Sequence, residues 1–127
     1  MLILRVIAVA AVVVAAATAA VPAALAKNGD PQVRGTCTVN STAKIKLSAE
    51  NGRIEVEFEV DQNRNRVPWK VKLQRNGKLV ASTTAVTRAP SGSFTVRRVI
   101  ASAPGVVRVT ATATSPSGER CTARATR

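Results

Sequence analysis

The stretch AKIKLSAENGRIEVEFEV, residues 43–60, decides the fold. Its apolar residues occupy every second position on both sides of Asn51-Gly52, and this period-two alternation is typical of a strand with one buried face. Asn-Gly between two alternating runs is the strongest short signal for a β-hairpin. The stretch therefore predicts two antiparallel strands joined by a two-residue turn.

The turn also sets the register of this hairpin, and the register matches the side chains on both faces. The predicted opposed pairs are Ile45–Phe58, Leu47–Val56, Lys44–Glu59 and Lys46–Glu57. Matched cross-strand pairs contribute about 0.2–1 kcal/mol each, and a slip by one residue would place lysine opposite apolar residues. We therefore predict this register and no other.

A second hairpin follows in WKVKLQRNGKLVASTTA, residues 69–85, with Asn76-Gly77 as its turn. An uninterrupted ladder from this turn predicts the opposed pairs Leu73–Val80, Val71–Ser82 and Trp69–Thr84. The polar residues Lys70, Lys72 and Gln74 then point to the opposite face.

The rest of the chain predicts three more strands. Residues 93–100 alternate with Phe94 and Val96 inward, and Arg97-Arg98 disturbs the alternation in a way that a β-bulge would explain. Residues 107–113 and 121–125 alternate again, around a turn at residues 115–118. With an extended segment near Cys37, the sequence predicts an all-β, single antiparallel seven-stranded sandwich.

The first hairpin is followed by a connection, the hairpin Trp-x-Val-x-Leu-x-Arg-Asn-Gly-Lys-Leu-Val, then Pro-Gly before an alternating strand and a final hairpin. This succession resembles an immunoglobulin-like or fibronectin-type-III-like domain. Arg-Asn-Gly, Ser-Gly-Ser-Phe and Ser-Pro-Ser-Gly-Glu-x-Cys also resemble segments of small secreted proteins of unknown function from high-GC Gram-positive bacteria. The resemblance covers most of residues 36–126 and implies the strand order A, B, C, C′, E, F, G. The two cysteines flank the domain and Tyr is absent, unlike the antibody pattern, so only the architecture is carried over.

The N-terminus predicts export. Arg5 precedes an apolar run, Val6–Val21, and Ala24-Leu25-Ala26 supplies the small residues that signal peptidase needs. We expect a signal helix in residues 1–26, a disordered segment in residues 27–35 and the sandwich in residues 36–127. The alternative is an uncleaved anchor, because the apolar stretch is long enough to span a membrane. The prediction is a secreted, extracellular or cell-wall-associated protein that meets the membrane only through its signal segment before cleavage.

Cys37 and Cys121 are the two cysteines of the chain, and we predict a structural disulfide between them. Exported proteins meet an oxidising compartment, and small secreted domains often use a covalent cross-link. The predicted core is poor in aromatics, and closing so long a loop contributes about 4–5 kcal/mol in the chain-entropy account. A redox or metal-binding pair is not favoured, because the spacing is not C-x-x-C and the chain has no histidine.

Acids and bases do not form a catalytic or metal-binding pattern. Common nucleophilic and general-base mechanisms need a histidine or an equivalent base, and Glu57 and Glu59 already face lysines in the predicted register. Residues 61–65 are similar to the first half of a calcium-binding loop, which has oxygen ligands at alternate positions, but Arg66 occupies the position where that loop needs glycine. We therefore predict no catalytic residue, no cofactor, no metal site and no small-molecule substrate; the chain is not expected to be an enzyme.

The charge is strongly lopsided. Residues 62–127 carry thirteen Lys and Arg against one acid, Glu119, whereas residues 27–61 carry five cations and six acids. If the second sheet has the order C′, C, F, G, its outward face holds five cations and several threonines. These cations are Lys70, Lys72, Arg108, Arg120 and Arg124.

Such a face has two interpretations: a merely soluble surface, or a binding face for anionic polymers. The polymer would be extracellular nucleic acid, a wall polymer such as teichoic acid, or an acidic polysaccharide. The function expected is a secreted, non-enzymatic binding or surface-interaction domain. The alternatives are a structural cell-wall or matrix protein, and a small enzyme inhibitor that presents the loop of residues 61–68.

Overall fold

A computed structural model describes residues 10–12 and 30–127 of the chain. Within these residues there is no helix, and so none long and apolar enough to cross a membrane. The signal peptide expected in residues 1–26 lies outside the described residues except for residues 10–12.

Nine strands form two antiparallel sheets in the described part of the chain. They are β1 (Gln32–Arg34), β2 (Thr36–Cys37), β3 (Thr42–Glu50), β4 (Arg53–Asp61), β5 (Pro68–Arg75), β6 (Lys78–Val86), β7 (Ser93–Ala101), β8 (Arg108–Thr114) and β9 (Arg120–Thr126). Sheet one has the order β1-β3-β4-β7, and sheet two has the order β2-β9-β8-β5-β6. The predicted all-β fold is confirmed, and β6-β5-β8-β9 is the order on which the five-cation face was predicted. The seven predicted strands correspond to β3–β9, and the extended segment predicted near Cys37 contains β2; β1 is an additional strand that the sequence does not indicate.

β1 and β2 belong to one N-terminal segment that joins both sheets. β1 pairs with β3 in sheet one, and β2 pairs with β9 in sheet two. The expectation that residues 27–35 are disordered is therefore wrong for residues 32–34. The segment crosses between the sheets at Gly35, where a Cβ would collide with the carbonyl oxygen of Thr122 and lie 2.8 Å from Cβ of Ala123. Only glycine allows so close an approach.

The first hairpin is confirmed in full. β3 and β4 pair without interruption, and all four predicted pairs are opposed. Asn51 and Gly52 have φ values of 46° and 78°, as a turn with two left-handed residues requires. The apolar face of this hairpin is buried and its lysines and glutamates face outward.

The register predicted for the second hairpin is wrong beyond its first two pairs. A β-bulge between Leu73 and Gln74 on one strand, at Val80 on the other, shifts the ladder by one residue. The observed pairs are Leu73–Ala81, Val71–Thr83 and Trp69–Ala85. The bulge moves Ala81 and Ala85 towards the core and leaves Ser82 and Thr84 on the outer face beside the lysines of β5.

The bulge predicted at Arg97-Arg98 is absent from the β4–β7 ladder, which runs without interruption. The alternation fails for another reason. β7 is an edge strand, so Arg98 lies in the inward register and yet reaches solvent, whereas Arg97 points outward. An inward-pointing charge on an edge strand opposes edge-to-edge pairing with another chain.

The core lies between the sheets and contains all three aromatic residues. The rings of Phe58 and Trp69 lie 6.3 and 6.1 Å from that of Phe94. The Trp69 indole N–H donates to Oε1 of Gln62 at 3.1 Å, which satisfies its buried polar atom. The predicted disulfide between Cys37 and Cys121 is confirmed; it joins β2 to β9 with a Cα–Cα distance of 4.1 Å.

Candidate functional site

The outer face of sheet two carries all five cations predicted for it, which we call the cationic face. Lys70 and Lys72 lie on β5, Arg108 on β8, and Arg120 and Arg124 on β9, and all five are exposed. The alternation of each strand explains their common orientation, because the residues between them are buried apolar residues.

Threonines separate these cations. The opposed pairs across the strands are Lys70–Thr114, Lys72–Thr112, Arg124–Thr110, Arg120–Thr114 and Arg108–Thr126. None of the five cations therefore faces another directly across the strands. The nearest cation positions are Lys70 and Lys72, about 6.5–7 Å apart along one strand, and the diagonal pair Arg108 and Arg124.

The cationic face has no acidic partner among the described residues. No salt bridge in that part of the chain involves any of the five cations. The opposite surface is different: on the outer face of sheet one, Arg97 pairs with Glu55 at 3.4 Å and with Glu57 at 3.2 Å. Lys44 there pairs with Glu59 at 3.7 Å. All three glutamates thus pair with cations. The predicted pair Lys44–Glu59 forms, whereas Glu57 lies opposite Lys46 as predicted but forms its ion pair with Arg97.

Glu119, the one acid after residue 61, is buried and lies off the cationic face. Its Oε2 accepts hydrogen bonds from the backbone N–H groups of Val39 (3.1 Å) and Ser41 (3.0 Å). Its Oε1 accepts from the Ser41 hydroxyl at 2.6 Å. The carboxylate therefore holds the β2–β3 loop, a structural role that the sequence did not reveal.

Glu119 also lies beside the disulfide, and with Cys37 and Cys121 it forms a compact group of three residues of metal-ligand type. Both sulfurs of this group are bonded to each other, and the carboxylate already accepts three hydrogen bonds. The two cysteines thus form a cross-link, and Glu119 holds the loop between β2 and β3.

A groove of about 930 Å³ opens at one end of the cationic face, where Arg108 and Arg124 both line it. Threonine hydroxyls and short apolar side chains complete its wall. The further lining residues are Val33, Asn76, Gly77, Val106, Thr110, Ala125 and Thr126. A groove at the other end, of about 420 Å³, has Lys70 as its one charged lining residue.

The first groove is fixed by hydrogen bonds from the second hairpin turn. The backbone N–H of Asn76 donates to the carbonyl oxygen of Arg108 at 2.8 Å, and the N–H of Arg108 donates to Oδ1 of Asn76 at 2.8 Å. The Asn76 side-chain amide also donates to the carbonyl of Val106 at 3.5 Å. The sequence predicts Asn76-Gly77 as a plain turn like Asn51-Gly52, because no local signal distinguishes the two.

The loop considered for an inhibitor is held against the domain. The Thr87 hydroxyl donates to the carbonyl of Arg64 at 2.6 Å and accepts from the N–H of Val67 at 2.9 Å. The N–H of Asn63 donates to Oδ1 of Asp61 at 3.0 Å, which is an Asx turn rather than a cation-binding arrangement.

The chain matches no known family model, no curated protein and no solved structure.

Proposed function

We propose that this chain is a secreted, non-enzymatic domain that binds anionic polymers on its cationic face. The observation that carries the proposal is the arrangement of five exposed cations among threonines, with no acidic partner in the described part of the chain. Solubility alone does not require cations to be separated from acids. The outer face of sheet one is also charged, and there the cations form ion pairs with glutamates of the same face.

The physical basis is counterion release. Each cation that neutralises a backbone charge of a polymer displaces a condensed counterion, so affinity falls steeply as salt is added. If all five cations engage a phosphate polymer, the logarithm of the affinity should fall with a slope of about −3.5 to −4.5 against the logarithm of salt concentration. If binding depended only on the overall charge of the domain, removing any three cations would weaken binding equally, wherever on the surface these cations lie.

The buried aromatics favour some polymers over others. Trp69 and Phe58 have no exposed surface and Phe94 has 6%, so no aromatic ring can stack on an unpaired base. The threonine hydroxyls instead suit a polymer with hydroxyl groups between its charges, as in wall polymers and acidic polysaccharides.

The proposed compartment and architecture agree with this function. A buried disulfide is compatible with an extracellular protein. The order β3-β4-β7 against β6-β5-β8-β9 supports a fibronectin-type-III-like arrangement in which β1 and β2 are additions. If the signal segment is cleaved as expected, protein from the culture medium should begin at Lys27, and intact Met1 in a membrane fraction would contradict it.

Retention on heparin and on DNA resin across a salt gradient tests the binding face. Lys72, Arg108 and Arg124 are changed together to Gln, and Lys44, Lys46 and Arg53 together serve as the control, since both variants lose three positive charges. The first variant should elute at clearly lower salt than the second. Equal elution would show that position on the surface has no importance, which would favour the structural wall or matrix protein.

A further inference from the structure

The five cations of the proposed polymer-binding face are not equivalent. Arg108 and Arg124 lie diagonally on adjacent strands and line one groove, whereas the groove at the other end contains a single cation, Lys70. Two guanidinium groups in one concave site differ from the same charges on a flat sheet, because both can contact one anionic group.

We propose that the groove at Arg108 and Arg124 is a discrete subsite for a phosphate ester of a polyol or sugar. This inference rests on the proposed polymer-binding function and names the unit of the polymer that the face would recognise. The phosphate lies between the two guanidinium groups, and the hydroxylated carbon chain lies along Thr110, Thr126 and Val106.

The anionic part of the ligand follows from the number and geometry of the arginines. A planar carboxylate is satisfied by the fork of a single guanidinium group, whereas a tetrahedral phosphate directs its oxygens outward and can bridge two arginines from different strands. The groove contains no acidic lining residue that would oppose the anion.

The uncharged part of the ligand is inferred from the other residues that line the groove. The hydroxyl groups of Thr110 and Thr126 have no hydrogen-bond partner among the described residues, unlike those of Thr38 and Thr87. Val106 is 63% exposed and offers an apolar surface to C–H groups. Hydroxyls beside a small apolar surface suit a polyol or sugar, and the absence of an exposed ring disfavours a nucleobase.

The groove is also preorganised. Asn76 joins the hairpin turn to the backbone of Val106 and Arg108 by its three hydrogen bonds. The backbone N–H groups of Val107 and Arg127 donate to each other's carbonyl oxygens at 2.9 Å, which fixes β8 against the end of β9. A site whose wall is already ordered loses less entropy when a small ligand binds.

The test is an NMR titration of the protein, purified after expression of the full chain, with glycerol 3-phosphate at low salt. The variants are Arg108→Gln with Arg124→Gln, and the matched control Lys70→Gln with Lys72→Gln, which removes the same charge from the same face. Wild-type protein should bind saturably, with shifts centred on Val106, Thr110 and Thr126. The arginine variant should lose about tenfold or more in affinity and the lysine variant about twofold or less, because only the former removes the charge-assisted contacts.

An equal loss in the two variants, or shifts that do not saturate, would overturn the subsite. Tighter binding of glucuronate or of a short oligothymidylate than of glycerol 3-phosphate would overturn the assigned ligand. The variant Asn76→Gly keeps every charge and tolerates the positive φ of 48° at this position, and it should still bind more weakly because the groove wall is released.

The outcome is separable from that of the proposed function. If the two triple variants elute from polymer resin at the same salt while the groove still binds glycerol 3-phosphate, the polymer-binding function fails and the subsite remains. If the triple variants differ but both double variants bind glycerol 3-phosphate equally, only the subsite fails.

Discussion

The outer faces of the two sheets are built on the same plan and differ in one strand. On sheet one, β4 carries Glu55, Glu57 and Glu59 at alternate positions; on sheet two, β8 carries Thr110, Thr112 and Thr114. The flanking strands supply cations in both cases, from β3 and β7 in sheet one and from β5 and β9 in sheet two. Three residues of a central strand thus decide whether a face neutralises itself or stays positive.

The two faces therefore differ in how their cations are compensated. On sheet one the ion pairs of the three glutamates are partly exposed and contribute modestly to stability. On sheet two the cations receive no such compensation and remain available to an external anion. If the cationic face binds anionic polymers as proposed, changing only these central strands should remove binding from one face or create it on the other.

The largest effect is expected from giving β8 the pattern of β4. Replacing Thr110, Thr112 and Thr114 by Glu places a carboxylate opposite Lys72 and Arg124 and between Lys70 and Arg120. The affinity for an anionic polymer at low salt should fall by about two orders of magnitude or more, because the cations would then pair with carboxylates of the same face instead of with the polymer. Earlier elution from anionic resin would show this loss. The same three positions changed to Gln provide the control for side-chain size and should retain most of the binding.

The next effect concerns stability and the one acid of this half of the chain. Changing Glu119 to Ala leaves the N–H groups of Val39 and Ser41 without their acceptor and should reduce the free energy of unfolding by about 2–4 kcal/mol. Glu119→Gln keeps an acceptor oxygen and an amide that can donate to the Ser41 hydroxyl, so it should cost only about 1 kcal/mol. Urea denaturation measures both. An equal loss in the two variants would show that charge, not hydrogen bonding, is what the loop requires.

A smaller effect is expected from the reverse exchange on sheet one. Replacing Glu55, Glu57 and Glu59 by Gln removes the partners of Lys44 and Arg97 and leaves a second positive face. The variant should elute from anionic resin at higher salt than wild type and lose about 0.5–2 kcal/mol of stability, since each exposed pair contributes at most about 1 kcal/mol. Unchanged elution would mean that flanking cations alone do not make a binding face.

The two hairpins show how far the sequence predicts this fold. In the first, apolar residues face apolar residues, both lysines face glutamates and the two-residue turn sets the alignment, so a shift by one residue is penalised along the whole ladder. In the second, Val80 and the residues after it are apolar or small on both faces, and a shift by one residue costs little. The bulge was therefore invisible in the sequence, although the strands and the turn were not.

The candidate site divides in the same way. Alternation alone places the five cations on one face, because it depends only on period and strand order. The groove depends on the hydrogen bond between Asn76 and Arg108 and on the diagonal placement of Arg124 relative to Arg108, which bring together residues far apart in sequence. Such an arrangement follows from the pairing of whole strands, and no local pattern predicts it.

The smallest effect expected tests whether Arg127, the last residue of the chain, belongs to the cationic face. Its guanidinium group donates to Oδ1 of Asp30 at 2.7 Å, and this hydrogen bond lowers the pKa of Asp30 below its ordinary value of 3.8. Because the folded-state pKa is the lower one, the folded protein binds fewer protons than the unfolded chain, and the contact stabilises the fold above that ordinary value. The contribution disappears as the pH falls through the folded-state pKa. Asp30→Asn should therefore lower the denaturation midpoint slightly at neutral pH and leave it equal to that of wild type in strong acid. Arg127→Gln should leave the salt concentration of elution from anionic resin nearly unchanged, because this guanidinium group is already paired with Asp30. A constant offset at every pH would show that the carboxylate charge is not the source of the stabilisation, and a large drop in elution for Arg127→Gln would add a sixth cation to the face.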